Sequence, residues 1–493
     1  MKKKVLAVIL TGVMSATVLA GCAAAPAAPA AAPAEEAVEE AAPAEEEAPA
    51  EEEAPAEEEA PAEEEAAPAA EGGVINLWTF TDEVPGMIDK YLEEHPDFPY
   101  TVNPTIIATT EGAYQPALDQ ALQAGGAEQP DIYCAESAFV LKYTQGDMQD
   151  FAMPYEDLGI DVEAELKAAD IAQYSVDIGT NTDGKVDGLG YQATGGAFIY
   201  RRSIAQDVFG TDDPEKIGEI IGSGSGSWDK FFEAAATLAD SGVAIVSGDG
   251  DVWHAVENSS DEGWLTEDGL LHIDPKREAF LDISKDLTDN GWSNQTQDWQ
   301  DAWFADMKGE GAKPVFGFFG PAWLINYTLA PNCGGEAVGE GTYGDWAVTA
   351  PPIGFFWGGT WVIANKNMDP AKIDAVKELI YYITLDTSDD GLQYKWANGT
   401  LNGEGGTKDC VASGTVMAKS NGELDFLGGQ NMFDVFVPAN QYANGKNLTQ
   451  YDESINQIWR DQVRAYAAGE KDRDAAIKDF KQTVSDNLGI DAE

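Results

Sequence analysis

An α/β fold in two lobes is what this chain predicts, and two observations lead there. Short strand-like runs alternate with amphipathic helical patterns over most of its length, the arrangement expected of α/β architecture. The part able to fold, Gly72 to Glu493, holds 422 residues, too many for one compact core and enough for two.

Ahead of that part stands a leader. Lys2, Lys3 and Lys4 precede an almost continuous apolar run from Val5 to Ala20, and small residues lead to Cys22, the three-part pattern of a secretory signal. About 16 apolar residues fall short of the roughly 20 that a helix needs to span a bilayer. Leu19-Ala20-Gly21-Cys22 resembles the lipobox of bacterial lipoproteins, whose cysteine is acylated and becomes the mature N-terminus. The resemblance implies a signal peptide over residues 1–21, lipidation of Cys22 and stable attachment through more than one acyl chain. The plainer alternative is an ordinary cysteine beside a cleavage site.

From Ala23 to Glu71 the chain is almost entirely Ala, Pro and Glu, and Pro43, Pro49, Pro55 and Pro61 mark a six-residue repeat. Proline at that interval blocks long helices. Seventeen glutamates with no Lys or Arg among them repel one another, so residues 22–72 are expected to form an extended linker without a core. Its fully stretched reach is roughly 160 Å at about 3.3 Å per residue, suited to holding a domain clear of a membrane, within a thick cell wall.

Removing the three leader lysines and the seventeen tract glutamates from the chain's −58 leaves −44 on the folding part, from 70 acidic and 26 basic residues. That field disfavours nucleic acid, anionic lipid and polyanionic substrates. It permits neutral or cationic ligands, and surface solvation alone would also account for it.

Strands are expected at Val74–Trp78, Thr101–Ala108, Asp131–Tyr133, Val315–Phe319, Trp346–Thr349 and Thr360–Ala364, where β-branched and aromatic residues cluster. Gln115–Ala124 reads as a helix stopped by Gly125-Gly126, and Ser227 offers an N-cap to a helix over Trp228–Ala239. Asp369-Pro370 opens another through Ile383. Ile477, Phe480, Val484 and Leu488 recur at helical spacing before Gly489, a C-cap residue. Asp183-Gly184, between two runs with strand character, reads as a hairpin turn; its acidic neighbourhood invites calcium, but the spacing is not that of an EF-hand loop. Cys134, Cys333 and Cys410 remain once Cys22 is set aside, an odd number that allows at most one disulfide. Cys333 with Cys410 is the preferred pair, against three free thiols.

The order of several short motifs carries a resemblance. The strand Ile75–Phe80, Pro130-Asp131-Ile132, Gly190-Tyr191-Gln192 running into Phe198-Ile199-Tyr200-Arg201, Ser227-Trp228-Asp229, Gly320-Pro321-Ala322-Trp323 and Trp357-Gly358-Gly359-Thr360-Trp361-Val362-Ile363 with Asn365-Lys366-Asn367 follow one another in that sequence. Together they resemble the family 1 extracellular solute-binding proteins of bacterial carbohydrate ABC transporters, more specifically the maltodextrin-binding type. The similarity covers Val74 to Leu488, and the lipobox with its linker is similar to Gram-positive members. It implies a type II periplasmic-binding-protein fold, with residues 73–193 and 359–405 in one lobe and 194–358 and 406–493 in the other. Hinge crossings are expected near Ala193–Gly195, Gly358-Gly359 and Asn402–Gly406, where glycine absorbs backbone rotation at low steric cost.

A saccharide presents apolar C–H faces and a rim of hydroxyls, so its site needs flat aromatic platforms and hydrogen-bonding side chains. The chain has 13 tryptophans. Trp78 ends the first strand, where ligands lie in open α/β sheets, and its loop adds Asp82 and Glu83; Glu136 follows the third strand in the same way. The resemblance places Trp323 where the family commonly has a stacking aromatic, and Trp357 at the cleft beside the second crossing. Gln192 adjoins the first crossing and could bond a hydroxyl or stay solvated. Trp299 and Trp303, four apart on one helical face, could bury together or stack on sugar, so Trp299 is a candidate. Trp361, alternating with Thr360 on a strand, is expected in the core.

Phosphate-loop, zinc-protease and Gly-x-Ser-x-Gly motifs are missing, and His95, His254 and His272 lack ligand spacing. The expected function is an extracellular, lipid-anchored, monomeric solute-binding protein that delivers an oligosaccharide to the transmembrane permease subunits of an ABC transporter. It needs no cofactor, metal or nucleic acid, and it touches the membrane through its anchor alone. The competing readings are the same fold binding a cationic solute such as a polyamine, and a cell-surface glycoside hydrolase, which would need two placed carboxylates.

Overall fold

The computed structural model describes residues 73–109, 112–403 and 405–492. The signal peptide, Cys22 and the Ala/Pro/Glu linker lie outside the described residues.

Two sheets organise the molecule. The larger is mixed and joins β1 (Val74–Thr79), β2 (Thr101–Ile106), β3 (Ile132–Glu136), β4 (Ala152–Met153), β5 (Gly188–Gly190) and β9 (Thr360–Asn365). β1 runs parallel to β2 and β3, while β9 is antiparallel to β3, β4 and β5. The smaller sheet has β6 (Ala197–Arg201) between β7 (Gly317–Gly320) and β8 (Trp346–Thr349), all antiparallel neighbours.

Alternation along each strand divides its side chains between two packed faces. In the larger sheet Ile132, Cys134, Val362 and Ala364 face one core, and Tyr133, Ala135, Trp361 and Ile363 face another. In the smaller, Ile199, Phe318 and Val348 enter the first core, whereas Phe198, Phe319 and Ala347 enter a third. Helices cover these faces. Ile373–Thr384 packs on β9, and Asp249–Glu257 packs on β7; Pro275–Asp289 packs with Asp452–Ala467, itself against Arg473–Leu488.

The expected elements form for the reasons read from the sequence. Tyr114–Ala124 ends at Gly125, and Ser227 Oγ accepts the Asp229 amide (3.1 Å) at the start of Asp229–Asp240. Asp369 caps a 3₁₀ turn, Pro370–Lys372, that leads into Ile373–Thr384. Gly489, at φ +70°, caps Arg473–Leu488. Asn181 N donates to Lys185 O (2.8 Å), closing the turn that holds Asp183 and Gly184.

Between the sheets the chain passes along residues 191–196 and again along 350–359, and these connections lie side by side. Gly195 bridges Phe356, Gly196 N donates to Phe355 O (2.9 Å) and Trp357 N to Thr194 O (3.1 Å). Residues 410–413 join them: Gln192 bridges Val411, and Ala193 N donates to Cys410 O (2.8 Å). Residues 411–417, expected in the second lobe, lie against the first. Ser413 bridges Ile171 and its hydroxyl donates to Ala169 O (2.6 Å), so any third crossing falls beyond the expected 402–406.

The preferred disulfide does not form. Cys134, Cys333 and Cys410 are buried thiols; Cys333 donates to Gly335 O (3.0 Å), while Cys410 lies against the Asn440 amide (3.7 Å).

Candidate ligand-binding cleft

A cleft of about 1100 Å³ opens between the two sheets. Phe80, Glu83, Gln115 and Glu136 line it from the six-stranded side. His254, Glu257, Trp299, Trp323, Tyr327 and Glu453 line it from the other, and Trp357–Thr360 line it where the chain crosses between the sheets.

Four aromatic rings converge there. Trp299 and Trp323 are nearly parallel, 10° apart in plane with centroids separated by 6.3 Å. Trp357 meets Trp323 edge-on at 4.7 Å, and Trp323 Nε1 donates to Trp357 O (3.1 Å), which fixes the two indoles relative to each other. Tyr327 stands edge-on to Trp299 at 6.4 Å. Trp299 (38 %) and Tyr327 (47 %) rank among the exposed large hydrophobic residues, an arrangement fit for receiving a flat apolar face. Behind Trp357, His254 stacks at 3.5 Å. Burial holds the imidazole's proton affinity below its ordinary range, while its neighbour Asp298 (3.4 Å) pulls the other way. Burial alone would raise the Asp298 carboxyl, but Arg460 (3.0 Å) and His254 outweigh it and hold it low.

Four carboxyl groups, Glu83, Glu136, Glu257 and Glu453, line the cleft among amide and hydroxyl side chains. Burial raises Glu83 to about 7 against the opposing Tyr191 hydroxyl bond, with the charges of Asp409 and Asp82 adding to the rise. Gln192 Nε2 donates to Asp409 (3.0 Å) and to Glu83 (3.4 Å), and burial lifts Asp409 to about 6. Glu257 reaches about 8 through burial and the charge of Asp452, and Glu453 about 7 through burial and the charge of Glu136. Burial also raises Glu136, opposed by bonds from Ala138 N (2.9 Å) and Ser137 Oγ (2.8 Å). Gln115 reaches across the cleft to donate to Glu453. Among the described residues no group of three or more His, Cys, Asp or Glu is arranged to hold a metal ion.

The sequence model of the bacterial extracellular solute-binding proteins matches residues 86–421, over two thirds of the chain. The chain belongs to that family. Solved structures share its solute-binding fold. A galacto-N-biose/lacto-N-biose I-binding protein of an ABC transporter from Bifidobacterium longum, in complex with lacto-N-biose, is 17 % identical with TM-score 0.63, covering 85 % of this chain and 98 % of that one. A transporter-associated binding protein from B. animalis subsp. lactis, in complex with β-1,6-galactobiose, gives 18 %, 0.60, 85 % and 99 %. The sugar-binding protein MalE from Xanthomonas citri gives 15 %, 0.59, 84 % and 97 %. No curated protein matches the sequence. Membership of a solute-binding family makes this chain a binding protein rather than an enzyme, and among its described residues no helix is long and apolar enough to cross a membrane.

Of the residues singled out in the sequence of this solute-binding protein, Glu83, Glu136, Gln192, Trp299, Trp323 and Trp357 line the cleft. Trp78 and Asp82 do not. Trp78 packs with the Tyr114–Phe139 cluster on one face of β1, and Asp82 is exposed before the Glu83–Glu94 helix. Gln192 is buried with its amide committed to two carboxylates, not solvated. Trp299 is not helical: it precedes the Asp301–Lys308 helix at φ +66°, its ring tilted over Trp303, which is buried. Trp361 is in the core, donating to Ser175 O (2.9 Å). His254, Glu257, Tyr327 and Glu453 also join the lining. Tyr327 was within reach of sequence reasoning, four residues after Trp323 in the helical run Ala322–Leu329.

Proposed function

We propose that this protein captures an oligosaccharide in the cleft between its lobes and hands it, as a monomer, to the permease subunits of an ABC transporter. The convergence of Trp299, Trp323 and Trp357 on one cleft carries the reading, because adjoining indole faces match the apolar faces of pyranose rings. The saccharides bound by the Bifidobacterium relatives support it. Glu83 and Glu136 would supply polar contacts, with Gln192 holding Glu83 in place, and ligand would shift an open-to-closed equilibrium that the permease reads.

In this reading Cys22 carries the lipid, residues 22–72 form the spacer at the outer face of the membrane, and the paired connections near Thr194 and Gly358 are the hinge. One lobe comprises residues 73–193 and 359–417, and the other residues 194–358 and 418–493.

A glycan screen with the full chain, followed by calorimetry on the hits, tests the proposal. Trp323→Ala is expected to weaken the best saccharide by about 1 kcal/mol or more, the scale of a lost aromatic contact. Unchanged affinity would remove Trp323 from the site, and a screen without a single saccharide hit would end the reading.

A further inference from the structure

Three carboxylates line one cleft, and the cations nearest them have partners of their own. Glu136 ends β3 on the six-stranded side; Glu257 closes the Asp249–Glu257 helix and Glu453 lies in the first turn of Asp452–Ala467, both on the other side. The charge of Glu136 reaches both partners and raises their proton affinity, while Arg277 and Arg460 act against the rise at Glu257 and Lys142 at Glu453. The cations that line the cleft are already engaged, Lys142 with Asp119 and Arg460 with Asp298 (3.0 Å). Behind Glu257, Arg277 gives its guanidinium to the main-chain oxygens of Glu262 (3.0 Å) and Glu257 (3.4 Å). Bringing such acids together in a partly dry space is costly unless a proton or a cation comes between them.

An aromatic face stands directly beside this acidic set. A Cβ placed on Gly358 would lie 3.3 Å from the Trp323 indole and 3.5 Å from Glu136 Oε1, so ring and carboxylate flank the same glycine. His254, 7 % exposed, also lines the cleft, and its Nδ1 is buried without a hydrogen-bond partner.

Resting on the saccharide reading above, we infer that the solute is an amino sugar oligomer, its protonated amine held among Glu136, Glu257 and Glu453 while its rings lie on Trp323 and Trp357. A neutral sugar uses the indoles and offers the acids hydroxyls but no charge. A linear polyamine satisfies the acids and leaves the platforms without a flat face. A ring that bears an ammonium uses both, through charge-assisted hydrogen bonds and attraction to the indole face.

Calorimetry with the full chain at pH 7 decides it, using glucosamine and galactosamine oligomers, their N-acetylated forms and the hydroxyl counterparts of the same linkage. The free amines are expected to bind at least about tenfold more tightly than either counterpart, the scale of a hydrogen bond to a charged group. Glu136→Gln and Glu257→Gln should each remove most of that ratio, with melting curves verifying that the variants fold; the ligand comparison on the unaltered chain needs no variant. Equal affinities, or a preference for the neutral forms, overturn the amino sugar and leave the saccharide reading standing. Spermidine binding in the absence of any saccharide binding overturns both.

Discussion

The imidazole of His254 lies flat on the indole of Trp357, centroids 3.5 Å apart and planes 13° from parallel. His254 comes from a helix packed on β7, and Trp357 from the connection leading to β9, so the stack ties the connection to one lobe. Its other face is thereby presented with a fixed tilt. Replacing His254 with Ala removes the backing, and saccharide affinity should fall by about 1 kcal/mol, the worth of an aromatic pair. His254→Phe keeps a flat ring and should retain most of it. Titration by intrinsic tryptophan fluorescence measures both, and equal losses in the two variants would contradict the backing role.

Gly358 sits where two constraints coincide. Its φ of +73° is one that side chains with a Cβ adopt at a cost of roughly 1–2 kcal/mol, and a Cβ there would press on the Trp323 ring at 3.3 Å. Gly358→Ala should therefore lower the melting temperature and weaken ligand binding together. A variant with unchanged binding and a lower melting temperature would separate the glycine's backbone role from the cleft.

The raised acids make stability depend on pH in a definite direction. Glu83 at about 7, Glu453 at about 7 and Glu257 at about 8 hold protons more tightly in the folded chain than at their ordinary value of 4.5. Between these values the folded state binds more protons than the unfolded one, so stability is full below the ordinary value and is lost as pH rises through the raised ones. Without ligand, the melting temperature should fall between about pH 5.5 and pH 8, and Glu257→Gln should flatten part of that slope. A melting temperature that rises over the same interval would refute the assignment.

Local pattern made the strands legible and left the site half written. Trp346–Thr349 forms the strand its residues predict, because alternating Trp346/Val348 and Ala347 have a core on either face. Trp323 and Trp357 stand out because Pro321 and Gly358-Gly359 mark turns, where a large ring is seldom needed for the core. His254, Glu257 and Glu453 carry no such mark. Glu257 and Glu453 come into the field of Glu136 from points more than a hundred residues away in the chain, and nothing in the composition of a helix end tells which carboxylate a distant sheet will face. The place of residues 411–413 eluded glycine spacing for a related reason: Ser413 and Val411 are held by bridges to Ile171 and Gln192, a long-range pairing, rather than by local flexibility.

Trp299 is the sharpest departure from local expectation, and it offers a test. A helical position would have aligned it with Trp303; instead a left-handed backbone at φ +66° precedes the helix and leaves the ring 38 % exposed at the cleft, parallel to Trp323. A bulky residue in that region is strained by roughly 1–3 kcal/mol. Trp299→Ala and Trp299→Gly delete the same ring, so both should lose saccharide affinity alike. Their stabilities should differ in an inverted order. At an ordinary position glycine is the less stable of the two by about 0.5–1 kcal/mol because it loses more freedom on folding, whereas here only glycine accepts the backbone without strain, and Trp299→Gly should melt higher than Trp299→Ala. Alanine melting higher than glycine would mean that the backbone at this position relaxes once the ring is gone, and that the ring itself, through Trp303 and Trp323, imposes the turn.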